Sequence, residues 1–179
     1  MSAVAVLGAF PEPPESPLSA VEMEILPLDL VTEWRRCGMI ADFMADYMVH
    51  AFEKRAVARS ILSTVMNELV ENAAKFSADS RTPARASIRH HGDFVHLETR
   101  NVAVEAHVER LRTLLRDLAR GDPVAVWRAR IEGRLGLGIA MLARDYGATI
   151  GATTTRAGDG GSYTVCLRVS VSAAEVEQR

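Results

Sequence analysis

The feature that most constrains the fold is a long apolar stripe that ends in a change of period. Over residues 53–77 the positions Val57, Ile61, Leu62, Val65, Leu69 and Ala73 recur along one side of a helix. Beyond it the period drops to two. Residues 84–90 and 94–102 alternate about His91-Gly92-Asp93, which predicts a hairpin. A second pair of strands, about 149–155 and 162–170, flanks the turn at 157–161. Helices are predicted over 31–52, 104–120 and 139–146, with a short one from Pro123 through Arg130. Gly121-Asp122-Pro123 and Gly147 act as stops. Hairpins mixed with amphipathic helices imply an α/β (α+β) two-layer sandwich, with one mixed, mostly antiparallel sheet and helices on one face.

The remaining segments fill in around that frame. The first 18 residues carry Pro11-Glu12-Pro13-Pro14-Glu15-Ser16-Pro17 and no periodic pattern, so a disordered leader is expected there. Residues 23–30 alternate weakly and predict an edge strand, because Pro27 cannot donate to a ladder. Trp34, Met39, Ile40, Phe43, Met44, Tyr47 and Met48 recur at helical spacing and are expected in the core. The domain is therefore placed at 19–172, with a solvated end over 173–179.

Composition narrows the class of function. With 179 residues, 48% hydrophobic and 25% charged, one domain can bury a full core. A net charge of −2 leaves no basic field for nucleic acid. No apolar run reaches membrane-spanning length, and the front end lacks the basic n-region of a signal peptide. Cys37 and Cys166 make no metal or redox motif, which fits a reducing cytoplasm. His90, His91 and His96 cluster about one hairpin, but neighbours on a strand point to opposite faces and do not readily share an ion. Arginines from Arg110 to Arg134 are interleaved with acids, as on a solvated face or a partner-docking surface.

Two elements carry chemistry. Along 67–77, Glu68, Asn72, Lys75 and Phe76 stand at i, i+4, i+7 and i+8, on one side of the helix. A carboxylate, an amide oxygen and an ammonium in that order suit Mg²⁺ with phosphate, since the hard cation takes oxygen ligands. The glycine loop Gly133-Arg134-Leu135-Gly136-Leu137-Gly138 opens onto a helix N-terminus, where backbone N–H groups attract anions. It lacks the Lys-Ser/Thr of a P-loop, and no strand leads into it as in a dinucleotide fold.

In this order and spacing the two elements resemble the GHKL, or Bergerat-fold, ATPase superfamily, which includes gyrase, histidine kinases and the anti-sigma-factor serine kinases. Residues 67–77 are similar to its N-box. Gly133–Ile139 with the helix to Gly147 is similar to its second glycine box. Gly160-Gly161-Ser162-Tyr163-Thr164-Val165 is similar to its closing strand. The resemblance covers about residues 50–170 and implies ATP with Mg²⁺. It implies that Asn72 holds the ion, Lys75 touches phosphate and Phe76 lies against adenine. Gly133, Gly136 and Gly138 would cradle phosphate, Ser162 or Thr164 would help fix the base, and Glu68 would activate or position a nucleophile. The superfamily's Asp-x-Gly-x-Gly box is missing. The chain reads Thr99-Arg100-Asn101-Val102-Ala103-Val104 there, and Asn101 stands where the adenine-reading Asp would be. Helix 104–120 takes the place of the flexible lid.

The chain is too short for gyrase-like domains and has no phosphoacceptor hairpin upstream, which leaves the stand-alone, anti-sigma-factor-like branch. Trp34-Arg35-Arg36-Cys37-Gly38 and Ala143-Arg144-Asp145-Tyr146-Gly147-Ala148 also resemble a related group of bacterial regulators. That branch implies a partner-switching serine/threonine protein kinase with an antagonist or sigma-factor-like protein partner. Small members of it are commonly dimers, so a homodimer is implied as well. The alternative is a docking module of the same fold with a vestigial pocket. A third reading is an unrelated α/β enzyme that uses the glycine loop for another phosphate ligand.

Overall fold

The structure, a computed structural model, describes residues 3–13, 16–131, 136–158 and 161–178. In chain order the elements are β1 (Val4–Gly8), β2 (Ser19–Ile25), α1 (Pro27–Thr32), α2 (Arg35–Met48), α3 (Arg55–Phe76), β3 (Ala84–His90) and β4 (Phe94–Val104). They continue with α4 (Glu105–Arg120), α5 (Pro123–Ile131), α6 (Leu137–Tyr146), β5 (Thr149–Ala157), β6 (Ser162–Ser172) and α7 (Ala173–Gln178). The two-layer sandwich forms as expected. One six-stranded sheet has the order β1-β5-β6-β4-β3-β2, and each pairing in it is antiparallel.

Strand parity sorts the side chains. Ala86, Ile88, Val95, Leu97, Val165, Leu167, Val169 and Val171 are buried and share the face covered by helices. The central helix α3 presses Ile61, Leu62, Val65, Met66, Leu69 and Val70 into this core. It stops at Ser77, which leaves helical geometry and donates its hydroxyl to the Ala73 carbonyl at 2.7 Å. Gly147, at φ +56°, ends α6 in a left-handed cap that a β-carbon would strain.

Four expectations need correction. The leader is not structureless, because Val4–Gly8 pairs with β5 as an edge strand and buries Leu7. Two valines and a leucine, bounded by a glycine, suffice once an open edge is available. The following residues turn onto the outer face. There the Arg168 guanidinium lies 3.9 Å over the Phe10 ring and donates to the Pro11 carbonyl and the Glu98 carboxylate. The C-terminal end folds as α7, with Val176 fully buried and the Glu177 carboxylate accepting from the Glu53 N–H at 3.1 Å. Helix α2 buries Cys37, Ala41, Met44, Ala45 and Met48. Met39, Phe43 and Tyr47 remain 62%, 55% and 52% exposed. The small residues Ala41 and Ala45 let α2 approach α3 closely, so that stripe wins the core. Finally, Pro27 heads α1 rather than sitting within a strand, and the edge strand ends at Ile25. Among the described residues no helix is long and apolar enough to cross a membrane.

Candidate nucleotide site

A cavity of about 360 Å³ opens between α3, the inner face of the sheet, α4 and the start of α6. The C-terminal turns of α3 contribute Asn72, Ala73 and Phe76. Inward positions of β4 contribute Thr99, Asn101 and Ala103, and β6 adds Val165 and Leu167. Helix α4 forms the roof through Val108, Leu111 and Leu114. Its charged residues lie mostly toward solvent, with Glu109 and Arg110 at the mouth of the cavity, which is what a strongly amphipathic helix does over an apolar pocket. Gly136, at φ +70°, caps α6 at the end of the cavity, and a β-carbon there would lie 2.9 Å from Leu114 Cδ2. An apolar chamber with a few placed polar groups is the usual form of a small-ligand site.

The polar groups are oriented by local bonds. The Asn72 amide nitrogen donates to the Glu68 carbonyl at 2.6 Å, which leaves its oxygen as the atom with acceptor capacity. Asn101 donates from Nδ2 to Ser77 Oγ at 3.4 Å and to the Val102 carbonyl at 3.5 Å, so its Oδ1 is likewise the acceptor. Phe76 is wedged edge-on by His107, with ring centroids 5.0 Å apart, and its carbonyl is 3.2 Å from His107 Nδ1. Glu68 lies beside α6. A β-carbon on Gly138 would fall 1.7 Å from its Oε2, so the carboxylate occupies the space a side chain would take. Burial pushes the Glu68 pKa up, the Glu71 charge adds to this, and Lys75 opposes it. Burial works to raise Glu71 as well, but hydrogen bonds from Lys75 and Asn67 outweigh it and hold the group below its usual range.

The sequence-predicted residues divide clearly. Asn72, Phe76, Asn101 and Gly136 meet around the cavity. Gly138 and Glu68 pair beside it, and Gly133 lies outside the described residues. Lys75 does not line the cavity. Its ammonium bonds Glu71 at 2.7 Å and sits 5.3 Å over the ring of Trp34, which stands at the start of α2. Ser162 and Thr164 are on the wrong face. The inward register runs through Val165 and Leu167, opposite Asn101 and Thr99, so the even-numbered positions of β6 point away. Thr99, His107 and Arg130 line the cavity without having been singled out. Thr99 was detectable, since it stands two residues before Asn101 on one strand.

The donor set suits Mg²⁺ with a phosphate chain. The Asn72 oxygen is a hard ligand, and Mg²⁺ commonly takes one or two such groups plus phosphate oxygens, which leaves the Glu68 carboxylate, one helical turn away, uncommitted to the ion. No family model and no curated protein matches the chain. Among solved structures it is similar to a chain in the crystal structure of the SiaB-SiaC complex from Pseudomonas aeruginosa, with a TM-score of 0.64 and 17% identity. The likeness covers 87% of this chain and 91% of that chain, and it shows the fold.

Proposed function

We propose that this protein is an ATP-binding regulator of the Bergerat type that acts on a protein partner as a serine/threonine kinase. The observation that carries the reading is the convergence of Asn72, Phe76, Asn101 and Gly136, from three separate segments, on one apolar cavity. Phe76 and Val165 offer flat and apolar surface to a purine, and Asn101 Oδ1 accepts from an exocyclic amine. That contact is weaker than a carboxylate's, which would add charge. Bound MgATP would supply the transferable phosphoryl group. Asn72 would hold the ion, and Glu68 would orient the incoming hydroxyl and take its proton. A raised pKa suits Glu68 to that exchange, since the best base operates near ambient pH. The exposed stripe of Met39, Phe43 and Tyr47 supplies the apolar surface a protein partner needs. A protein partner is also in keeping with the structural neighbour, whose crystal structure is a complex of two named proteins.

A second reading, a docking module that no longer uses nucleotide, is favoured by Lys75. The expected phosphate-binding cation is tied to Glu71 outside the cavity. Calorimetric titration with ATP and ADP, with and without Mg²⁺, separates the two. Saturable, Mg²⁺-dependent binding that Asn72→Ala removes, with the fold intact, supports the kinase. No binding at millimolar ATP leaves the docking module.

A further inference from the structure

With Lys75 turned away, the cavity needs another cation if it is to hold an anionic ligand. We infer that Arg130 is that group, that it recognises the phosphate chain of the bound nucleotide, and that Asp117 on the roof helix holds it until the ligand arrives. The inference rests on the nucleotide reading of the cavity.

The charged residues that line the cavity are Glu109, Arg110 and Arg130. Glu109 and Arg110 are exposed on α4, at the mouth. Arg130, in the last turn of α5, is the more enclosed, with 21% of its side chain accessible. Its Nη1 lies 3.6 Å from where a Gly136 side chain would begin. Guanidinium and the α6 N-terminus therefore border the same end of the cavity. The cap there is a glycine that offers no side-chain bond, and the first turn holds no acid, so the leading N–H groups lack an anionic side chain of their own helix. Glu68 flanks this end from α3, beside Gly138. A phosphate placed between Arg130 and α6 would gain a fork of donors and the positive end of the helix dipole.

Arg130 is also a latch. Its Nη2 bonds Asp117 Oδ2 at 2.8 Å, which ties α5 to the roof helix α4. Asp117 is 41% accessible, so the pair can exchange at modest cost. A ligand phosphate competes with Asp117 for the same guanidinium, and its arrival releases the roof from α5. Trp127, stacked 3.8 Å from the Arg144 guanidinium, keeps α5 seated on α6 while this happens.

The test is calorimetry on the full chain and on Arg130→Ala, Arg130→Lys and Asp117→Asn, titrated with adenosine, ADP and pyrophosphate, with thermal melts as a folding control. Arg130→Ala should weaken ADP about tenfold, the loss of one charge-assisted contact, and leave adenosine unchanged. Arg130→Lys should recover part of the loss. Asp117→Asn should tighten ADP about threefold by weakening the hold of the roof helix on the guanidinium. Parallel weakening of adenosine and ADP, or no change in either, overturns the assignment. If the unaltered chain binds neither nucleoside nor nucleotide, the proposed function falls and pyrophosphate decides the point. Pyrophosphate binding that Arg130→Ala removes keeps Arg130 as an anion contact, and binding that is absent or indifferent to the substitution overturns it.

Discussion

The contact between Glu68 and Gly138 gives the sharpest test of the site, because its cost and its consequence separate. In Gly138→Ala the new methyl would lie 1.7 Å from Glu68 Oε2 and 2.5 Å from Cδ. An ordinary carbon–oxygen contact requires the carboxylate to retreat by about 2 Å, which a rotamer change can supply for about 0.5–1.5 kcal/mol. Opposing this, alanine is favoured over glycine inside a helix by up to about 1 kcal/mol, and by less near the first turn. Gly138 is the second residue of α6. The two terms nearly cancel, so the variant should be within about 1 kcal/mol of the unaltered chain, a shift of only a few degrees in Tm.

The proof lies in the double-mutant cycle. In a Glu68→Ala background nothing has to move, and Gly138→Ala should then show its helical gain alone. Urea denaturation of the four proteins should give a coupling of about 1 kcal/mol between the two positions. On the proposed function, in which Glu68 takes the proton, Gly138→Ala should leave ADP affinity within about threefold while MgATP turnover falls, because Glu68 is displaced and the cavity is not. Additive effects would refute the contact. A loss above about 3 kcal/mol would mean that the methyl meets something more rigid than a side-chain end.

The outer face of the sheet predicts a pH dependence. His96 is buried, and that burial, with the charges of Arg168 and His91, holds its pKa at about 4 against the usual 6.5. The folded state keeps it neutral while the unfolded chain protonates. Stability is therefore full above about pH 6.5 and drains as pH falls toward 4, by up to about 3 kcal/mol. His96→Gln should flatten urea midpoints across that window, and an unchanged slope would exclude His96 as the cause. Gly151→Ala would place a methyl 2.2 Å from the Ala9 carbonyl oxygen and 2.8 Å from the Phe10 nitrogen, all backbone. It should cost about 2 kcal/mol or more and open residues 9–13 to proteolysis, as limited digestion would report. On the inner face, Asn101→Ala should weaken ADP at least about fivefold while Thr164→Ala stays within about twofold, as calorimetry would show.

Much of this was legible where one physical signal dominates. The stripe of α3 and the alternation of β3 and β4 each bury apolar side chains against one surface, so period alone locates them. Parity was legible too, and it contradicts the choice of Ser162 or Thr164. Val165, Leu167, Val169 and Val171 alternate with Cys166, Arg168 and Ser170, which fixes the even positions outward. Lys75 was not legible. Spacing places it on the Glu68 side of α3, but the choice between a cavity and the Glu71–Trp34 pair is made by α2, a tertiary partner. The same holds for α2 itself. It carries two interleaved apolar stripes, and only the proximity of α3 selects the one with alanines. Arg130 is one arginine among many along 110–134, and what distinguishes it is the placement of α5 against Gly136.

The first residues of the chain show how the two faces of the sheet are joined. Leu7 is buried beside Ala152 on the helix side, and Gly8, at φ +67°, passes close enough that a β-carbon would meet Leu115 of the roof at 3.3 Å. The next residues leave for the opposite face, where Gly151 admits the Ala9 backbone and Arg168 takes hold of Phe10 and Pro11. One short segment therefore braces α4 above the cavity and is itself anchored behind the sheet. Two of the contacts that hold the roof differ in character. The Arg130–Asp117 pair is polar and exchangeable, and the β1 edge is apolar and clamped. On the inference drawn for Arg130, a ligand that takes its guanidinium would release the first and leave the second, along with the packing of His107 on Phe76, so α4 would loosen at its α5 end rather than detach.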